Sequence, residues 1–412
     1  MSENILFLTP QIPFPPQQGA SLRNFYIIKG VAQGHRVDLL TFYENEQDQE
    51  PATIQPLLNL LDRFEAIDLP KRNTLDRLRS LFLSPLPDMG HRLYSKAFQA
   101  RLIDWLQSKS YAVIQIEGIE LARYIPIIRK HALSAIIVFD NHNAETDLQR
   151  RIYKTDLFSF YPKRWAKGLY SLIQVQKLDR FEKEVCQAAD HVTAVSQADA
   201  ALIQPYRRPG QTPVLSIPNV IDVGEWTRLS RHEKKQYHLL FMGKMDYRPN
   251  VDGVLWFMQT CWPEVLHRVP EIKFVIVGKN PSPEIEQLDK HPQIDVTGFV
   301  ESIEPYVMQS DLMIMPLRMG SGTRLKLIQG LAAGIPIVST TTGAEGVGAR
   351  DREHLLLADT PERFVGAVVE LLNDPSLQNR LCKNGKVLAS AFDWRAVVTR
   401  FESLYAASDA ST

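Results

Sequence analysis

The residue types best suited to chemistry sit within residues 311–346. An apolar run at 312–315 leads into Pro316-Leu317-Arg318-Met319-Gly320-Ser321-Gly322-Thr323, and Arg324-Leu325-Lys326-Leu327-Ile328-Gln329-Gly330-Leu331 follows. Leu325, Ile328, Leu331 and Ala332 recur at helical spacing, so the segment reads as strand, glycine loop and helix. A second apolar strand at 335–339 and a turn at Gly343-Ala344-Glu345-Gly346 close it. Gly320 and Gly322 let a ligand approach the backbone, and Thr323 can cap the helix. Free amides and the positive end of the helix dipole then meet at one point, which suits an anion. Arg324 and Lys326 place two cations in the first turn, where they oppose that dipole. A bound negative charge reconciles the two, and phosphate is the economical choice. The plainer reading is that a glycine loop before a helix is only a tight turn. No Gly-Lys-Ser/Thr ends this loop and no Gly-x-Gly-x-x-Gly opens the chain, which argues against a nucleoside-triphosphate or dinucleotide fingerprint.

A second group follows an apolar strand at 135–139: Asp140-Asn141-His142-Asn143-Ala144-Glu145. Titratable side chains at the carboxyl end of a parallel strand are well placed for chemistry. A lone histidine there could merely cap the next helix, but His142 has Asn143 and Glu145 beside it. Near the N-terminus, a proline- and glutamine-rich loop at 10–19 connects a strand at 5–9 to a helix at 21–34. That loop also lies at a strand's carboxyl end, with Gly19 giving backbone room and Arg23 one turn into the helix. Arg23 reads equally well as a ligand contact or as a solvated surface residue.

The elements that position these groups alternate strand and helix through the whole chain. Strands are expected at 37–42, 64–69, 113–116, 191–195 and 214–217, with helices at 75–83, 94–106 and 121–131 and a long helix reaching 189. After a charged stretch, a second half repeats the pattern. Strands fall at 239–242, 274–277 and 294–297, a helix at 251–267, two helices at 361–372 and 377–392, and a last amphipathic helix reaches 406. Such alternation implies parallel sheets with right-handed crossovers. The expected division is an N-terminal domain at 1–222, a linker at 223–236, a second domain at 237–392, and a C-terminal helix and tail at 393–412. With 412 residues, each half can bury its own core. The formal net charge is zero, which excludes nucleic-acid binding by global charge. Cys186, Cys261 and Cys382 show no metal spacing and suit a reducing compartment. The N-terminus lacks the look of a signal peptide and no run is long enough to span a membrane, so a cytoplasmic protein is expected. Residues 150–167 hold six basic side chains and one acid interleaved with aromatics. They read either as a peripheral contact with an anionic membrane at its inner face or as a solvated loop with aromatics packed inward.

Residues 316–339 resemble the donor-binding stretch of family 4 (group 1) glycosyltransferases. Gly343-Ala-Glu-Gly346 and His354-Leu-Leu-Leu-Ala-Asp359 continue the likeness, as do Ile217-Pro-Asn-Val-Ile-Asp222 and Phe241-Met-Gly-Lys-Met-Asp-Tyr-Arg-Pro-Asn-Val-Asp252. The N-terminal loop and the Asp140–Glu145 group resemble a bacterial branch making surface polysaccharides. The likeness implies an α/β GT-B fold: two doubly wound, Rossmann-like domains facing a central cleft, with a C-terminal helix that can cross back to the first. It implies a retaining, metal-independent hexosyltransferase moving sugar from a nucleotide diphosphate sugar to a saccharide or lipid-linked acceptor. No cofactor and no metal site are implied. Lys244, Arg248, Arg324 and Lys326 would steady the leaving diphosphate, and His142 would meet the sugar. Gly19, Arg23, Asn143, Glu145, Gly243, Gly320, Ser321, Gly322, Thr323, Gln329 and Glu345 would complete the donor site.

One departure stands out. The family often carries two glutamates eight positions apart, and this chain has Ser321 and Gln329 there. Gln329 keeps hydrogen-bonding capacity without charge, and Glu345 is a candidate substitute. The alternatives are therefore a catalytically silent sugar-nucleotide-binding homologue or scaffold subunit and, less favoured, a sugar-nucleotide epimerase.

Overall fold

Two parallel sheets organise the chain, and each belongs to its own compact unit. The computed structural model describes residues 2–16, 19–150, 162–229, 236–319 and 323–406, apart from the side chains at 74, 162–169 and 171. Unit 1 comprises residues 1–219 and 397–412, and unit 2 comprises 220–396.

In unit 1 the strands are β1 (Asn4–Thr9), β2 (Arg36–Tyr43), β3 (Arg63–Asp68), β4 (Val113–Glu117), β5 (Ile136–Asn141), β6 (His191–Ala194) and β7 (Leu215–Ser216). They order as β3-β2-β1-β4-β5-β6-β7, all parallel. Ile5, Leu6, Phe7 and Leu8 are wholly buried, as expected where helices cover both faces of a sheet. Helix α1 (Gly19–Val31) follows β1, α2 (Thr74–Leu83) follows β3, and the 27-residue α3 (Pro162–Ala188) precedes β6. The chain order reverses between β1 and β4, so the carboxyl ends of these strands form the topological switch point.

Unit 2 contains β8 (Tyr237–Met242), α4 (Arg248–Thr260), β9 (Phe274–Val277), β10 (Ile294–Gly298), β11 (Ser310–Met315), α5 (Leu325–Ala333), β12 (Ile337–Ser339) and β13 (Leu356–Leu357). Its order is β10-β9-β8-β11-β12-β13, with the switch point between β8 and β11. Helix α6 (Trp394–Ala406) starts in unit 2, where the Trp394 amide donates to the Ile221 carbonyl (3.1 Å). From Val397 onward it belongs to unit 1 and buries Val397, Val398, Phe401 and Tyr405. It rests on α1 at Gly30, where a Cβ would come within 2.4 Å of Val398 Cγ2.

Several expected boundaries shift. Gly19 is the first residue of α1, not the end of the preceding loop. The single helix expected at 251–267 is two, α4 and Trp262–Arg268, because Pro263 has no amide to continue the ladder and crowds the preceding turn. An unforeseen helix, Gln197–Ile203, is capped by Ser196, and only Ile203 among its residues is buried, so its apolar periodicity was too weak to read. Within the stretch read as linker, Val223–Thr227 is a short helix capped by Asp222, and 230–235 lies outside the described residues.

Gly278 sits where β9 ends, and a Cβ there would lie 1.7 Å from the Gly243 carbonyl oxygen. Gly366 lies within helix Pro361–Asn373, and a Cβ there would meet nothing within 4 Å. Gly278→Ala is therefore expected to destabilise unit 2 by about 3 kcal/mol. Gly366→Ala should stabilise it by roughly 0.5–1 kcal/mol through helix propensity. Urea unfolding of both variants checks the pair, and a silent Gly278→Ala would contradict the close approach of the two turns.

Candidate active site

In unit 2 the switch point gathers its cations around one amine. Lys326, in the first turn of α5, brings Nζ to 2.6 Å from Asn250 Oδ1 and 5.0 Å from the centre of the Phe241 ring. Asn250, buried in the first turn of α4, donates through Nδ2 to the Lys244 carbonyl (2.8 Å). Glycine lets the turn after β8 pass this close, since a Cβ on Gly243 would stand 2.6 Å from Lys326 Nζ and 2.7 Å from Asn250 Nδ2. Burial, and then the neighbouring Arg324 charge, lower the Lys326 amine to about 7. Arg324 is itself buried, with Nη2 3.4 Å from the Thr342 carbonyl and 3.9 Å from Glu345. The loop after β11 is held against α4 by a two-pronged Arg318–Asp252 pair (2.7 and 3.0 Å). Gly253 makes that approach possible, since a Cβ there would meet the Pro316 carbonyl at 2.8 Å. Asp359 anchors the following turn by accepting from the Thr341 amide (2.8 Å) and hydroxyl (2.7 Å).

In unit 1 the group after β5 is joined to α1 and β4. Arg23 is 1% exposed and grips the fully buried Asp140 with two hydrogen bonds, at 2.7 and 3.0 Å. Its remaining reach goes to the Pro218 carbonyl (2.6 Å), and Thr193 donates to Asp140 Oδ1 (2.5 Å). Burial alone would push the Asp140 carboxyl up, but Arg23, His142 and these hydrogen bonds outweigh it and hold it below the usual carboxylate range. His142 Nε2 lies 2.8 Å from Oε2 of the buried Glu117, the last residue of β4. Gln115 Nε2 donates to the other Glu117 oxygen (2.6 Å), and the Asn24 side-chain amide, with its oxygen and nitrogen exchanged to suit its neighbours, donates to Oε2 (2.9 Å). Tyr405 of α6 donates to Gln115 and so ends the chain of bonds. Burial raises the Glu117 carboxyl and Asp140 adds to the shift. Burial lowers the His142 imidazole, but Glu117 and Asp140 override it and leave its pKa raised.

Glu117, Asp140 and His142 present ligand atoms within 4.8 Å of one another, the grouping among the described residues that could hold a metal ion. Their lone pairs are directed instead to Arg23, Thr193, Gln115 and Asn24, which makes the cluster a closed proton-bearing network. Glu145, further along, is pushed up to about 7 by burial, against the opposing hydrogen bond from Asn143 Nδ2 (3.0 Å).

Comparison with known proteins gives the family and the fold. Residues 29–225 match the family model described as Glycosyltransferase Family 4, and residues 236–374 match that of the Glycosyl transferases group 1. The chain is a glycosyltransferase of this group. It is similar to an uncharacterized 44.6 kDa protein in the cps region of Klebsiella pneumoniae, 21% identical over 89% of this chain and 90% of that one. Its fold is that of Anabaena HepE, solved in complex with UDP and glucose (TM-score 0.65, 15% identity, 98% of this chain and 100% of that one). It is likewise that of sucrose-phosphate synthase from Thermosynechococcus elongatus (TM-score 0.67, 18% identity, 100% of both chains). The two doubly wound units are thus those of the GT-B glycosyltransferases.

Of the site residues expected in this glycosyltransferase, Gly243, Arg324, Lys326 and Glu345 gather at the switch point of unit 2, whereas Lys244 joins through its backbone carbonyl and its exposed amine lies 3.4 Å from Asp246. Arg248 opens α4 and is exposed, and Gln329 is half-buried on α5. Thr323 does not cap the helix, because Arg324 holds the N-cap position and α5 begins at Leu325. Gly320, Ser321 and Gly322 lie outside the described residues. Arg23 is not a solvated surface residue but half of a buried ion pair, which leaves it a positioning role. Gly19 lines a different cavity, beside Phe14, Arg72 and Glu120. Glu117 and Asn250 were missed. Glu117 was legible as an acid closing an apolar strand, whereas nothing local marks Asn250 as the partner of a lysine 76 positions away.

Two measurements follow. Asp140→Asn leaves Arg23 buried without its carboxylate and is expected to cost about 3–5 kcal/mol in denaturant unfolding. The native Asp140 pKa is depressed, so its contribution is present above the ordinary Asp value and lost as pH falls through the native one. Glu117→Gln keeps the shape but removes the charge, and a proton titration followed by NMR should show the His142 pKa falling. An unchanged His142 titration would remove Glu117 from the site.

Proposed function

We propose that this glycosyltransferase moves a sugar, with retention of configuration, from a nucleotide diphosphate sugar to a saccharide or lipid-linked acceptor in polysaccharide or glycoconjugate synthesis. The observation carrying this reading is the half-buried Lys326, its amine lowered to about 7 by desolvation, beside Arg324 at the switch point of unit 2. Two cations brought together in a low-dielectric site repel until an anion joins them. A diphosphate supplies that anion, and its charge grows as the glycosidic bond breaks, when fixed cations help most. Lys244 and Arg248, on the adjoining turn, are assigned to the same group, and the backbone at 320–323 to its oxygens. Protein cations carry the leaving-group charge in this scheme without a metal ion, so transfer is expected to survive chelation by EDTA. In unit 1, His142 is assigned to the sugar, with Glu117 keeping its ring charged and oriented. A sugar nucleotide as donor is supported by the UDP and glucose bound to HepE, and a polysaccharide product by the cps-region relative.

Gln329 favours one other reading, a catalytically silent homologue that has lost its donor site and serves as a scaffold subunit. Calorimetry with UDP, GDP and ADP on the native protein and on Gln329→Glu separates the two. Micromolar binding of one nucleotide, tightened about tenfold by the restored charge, identifies the donor class for transfer assays. The anomeric configuration of the product is then read by NMR. No binding by either form would leave the silent reading in place.

The Lys326 amine gives the donor site a pH dependence with a definite sign. At about 7 it is half-neutral before binding, and a diphosphate raises its pKa, so binding takes up a proton. Affinity for a nucleotide diphosphate sugar should fall roughly tenfold between about pH 6.5 and 8.5. Lys326→Met should bind more weakly and with a flat profile. A flat profile in the native protein would place the diphosphate elsewhere.

A further inference from the structure

Helix α2 is firmly built yet turns its apolar side outward. Asn73 and Asp76 form a capping box at its start (2.8 and 3.1 Å). At its other end Lys177 of α3 takes the carbonyls of Ser80, Leu81 and Ser84 (3.2, 2.5 and 2.6 Å), and Leu81 is buried beneath. Arg72, just before the helix, is tied to Asp88 (2.7 Å). The orientation is therefore set by hydrogen bonds at both ends. In that orientation Leu75, Leu78, Phe82 and Leu83 are 70, 47, 74 and 83% exposed. Leu75, Leu78 and Phe82 fall on one stripe, with Arg79 inside it and Leu83 at its edge. Other large exposed apolar side chains, such as Leu133, Leu202 and Phe299, stand singly.

The charges around the stripe have one sign. Residues 71–83 carry Lys71, Arg72, Arg77 and Arg79 against Asp76 alone, and Lys71, Arg77 and Arg79 are exposed. We propose that this face of α2 docks on an anionic lipid surface, with the leucines and Phe82 at the acyl boundary and the three exposed cations among the headgroups. Arginine within an apolar stripe suits that setting, because its stem lies along the hydrocarbon while the guanidinium reaches lipid phosphate. It suits a second copy of the chain poorly. A two-fold pairing of the same face would set Arg79 and Arg77 against their own symmetry mates. A ten-residue helix, about 15 Å long, also offers far less than the roughly 800 Å² per partner of a stable interface.

The docked face leads to a cavity of about 810 Å³ in unit 1. Arg72, Arg77 and Asp88, at the foot and side of α2, line it together with Phe14, Leu69 and Leu93. An acceptor with an apolar anchor and a polar head would reach this cavity from the bilayer without leaving it. That step rests on the lipid-linked-acceptor reading above, whereas the docking itself does not.

The test is sedimentation of the full chain with phosphatidylcholine vesicles, with and without about 30% phosphatidylglycerol, at low and high salt. Binding is expected to anionic vesicles at low salt. Phe82→Ser with Leu83→Ser should lower the partition coefficient about tenfold or more, and Arg79→Glu should abolish the preference for anionic lipid. Both variants replace exposed side chains, and an unchanged melting temperature verifies their fold. Equal binding by the native protein and the double variant would overturn the proposal and move the contact elsewhere. So would absent vesicle binding together with self-association that the double variant loses. Transfer to a water-soluble acceptor, measured on the same samples, reports separately on the catalytic reading.

Discussion

The arrangement of unit 1 depends on a charge that cannot be left alone. Arg23 is too long and too charged to be buried without a partner, and Asp140 at the end of β5 is the partner. Their two hydrogen bonds tie α1 to a strand two places away in the sheet, across β4. The same guanidinium takes the Pro218 carbonyl and lies 5.5 Å from the Phe401 ring of α6, so three other segments converge on it. Everything around His142 inherits that geometry. A buried carboxylate already satisfied by arginine leaves Glu117 as the partner for the imidazole, and Gln115, Asn24 and Tyr405 complete the pairing. Satisfied networks of this kind rigidify a site, since any member removed strands the next one in low dielectric.

Unit 2 reaches a comparable result by the opposite means. Its site concentrates positive charge instead of cancelling it. The Lys326 amine has one neutral amide oxygen, an aromatic face and a glycine turn around it, and Arg324 nearby makes its proton harder to hold. Glycines at 243, 253 and 278 mark where backbone passes within contact distance of a side chain or another carbonyl. Close approach thus replaces counter-charge at the Lys326 amine, while Arg324 keeps Glu345 at 3.9 Å and Arg318 is paired with Asp252. The repulsion between Lys326 and Arg324 is the feature on which the proposed diphosphate site rests.

Much of this was legible in the sequence. Apolar runs such as 5–8 and 312–315 must be buried strands, and strands alternating with helices cannot pair in parallel except through crossovers. The doubled α/β architecture, the helix α5 after β11 and the polar group after β5 all follow from local pattern and chain order. Errors of reading occurred where local pattern competes with something nonlocal. Pro263 splits a helix that periodicity would continue, and Gln197–Ile203 forms with only one buried residue because Ser196 caps it and the chain must cross to β7.

What the sequence by itself determined, then, is which segments are strands and helices and which polar residue types stand at the carboxyl ends of the strands. Those properties depend on neighbours within a few residues, where periodicity and turn chemistry act. Tertiary structure alone decided the partners. That Arg23 is internal, that Glu117 orients His142, and that Asn250 holds Lys326 depend on elements that the sheets bring together from positions 117, 25 and 76 residues apart in the chain. The protonation of Glu117, Glu145 and Lys326 follows from the same cause, since it is set by burial and by charges that only the folded sheet brings within a few ångströms.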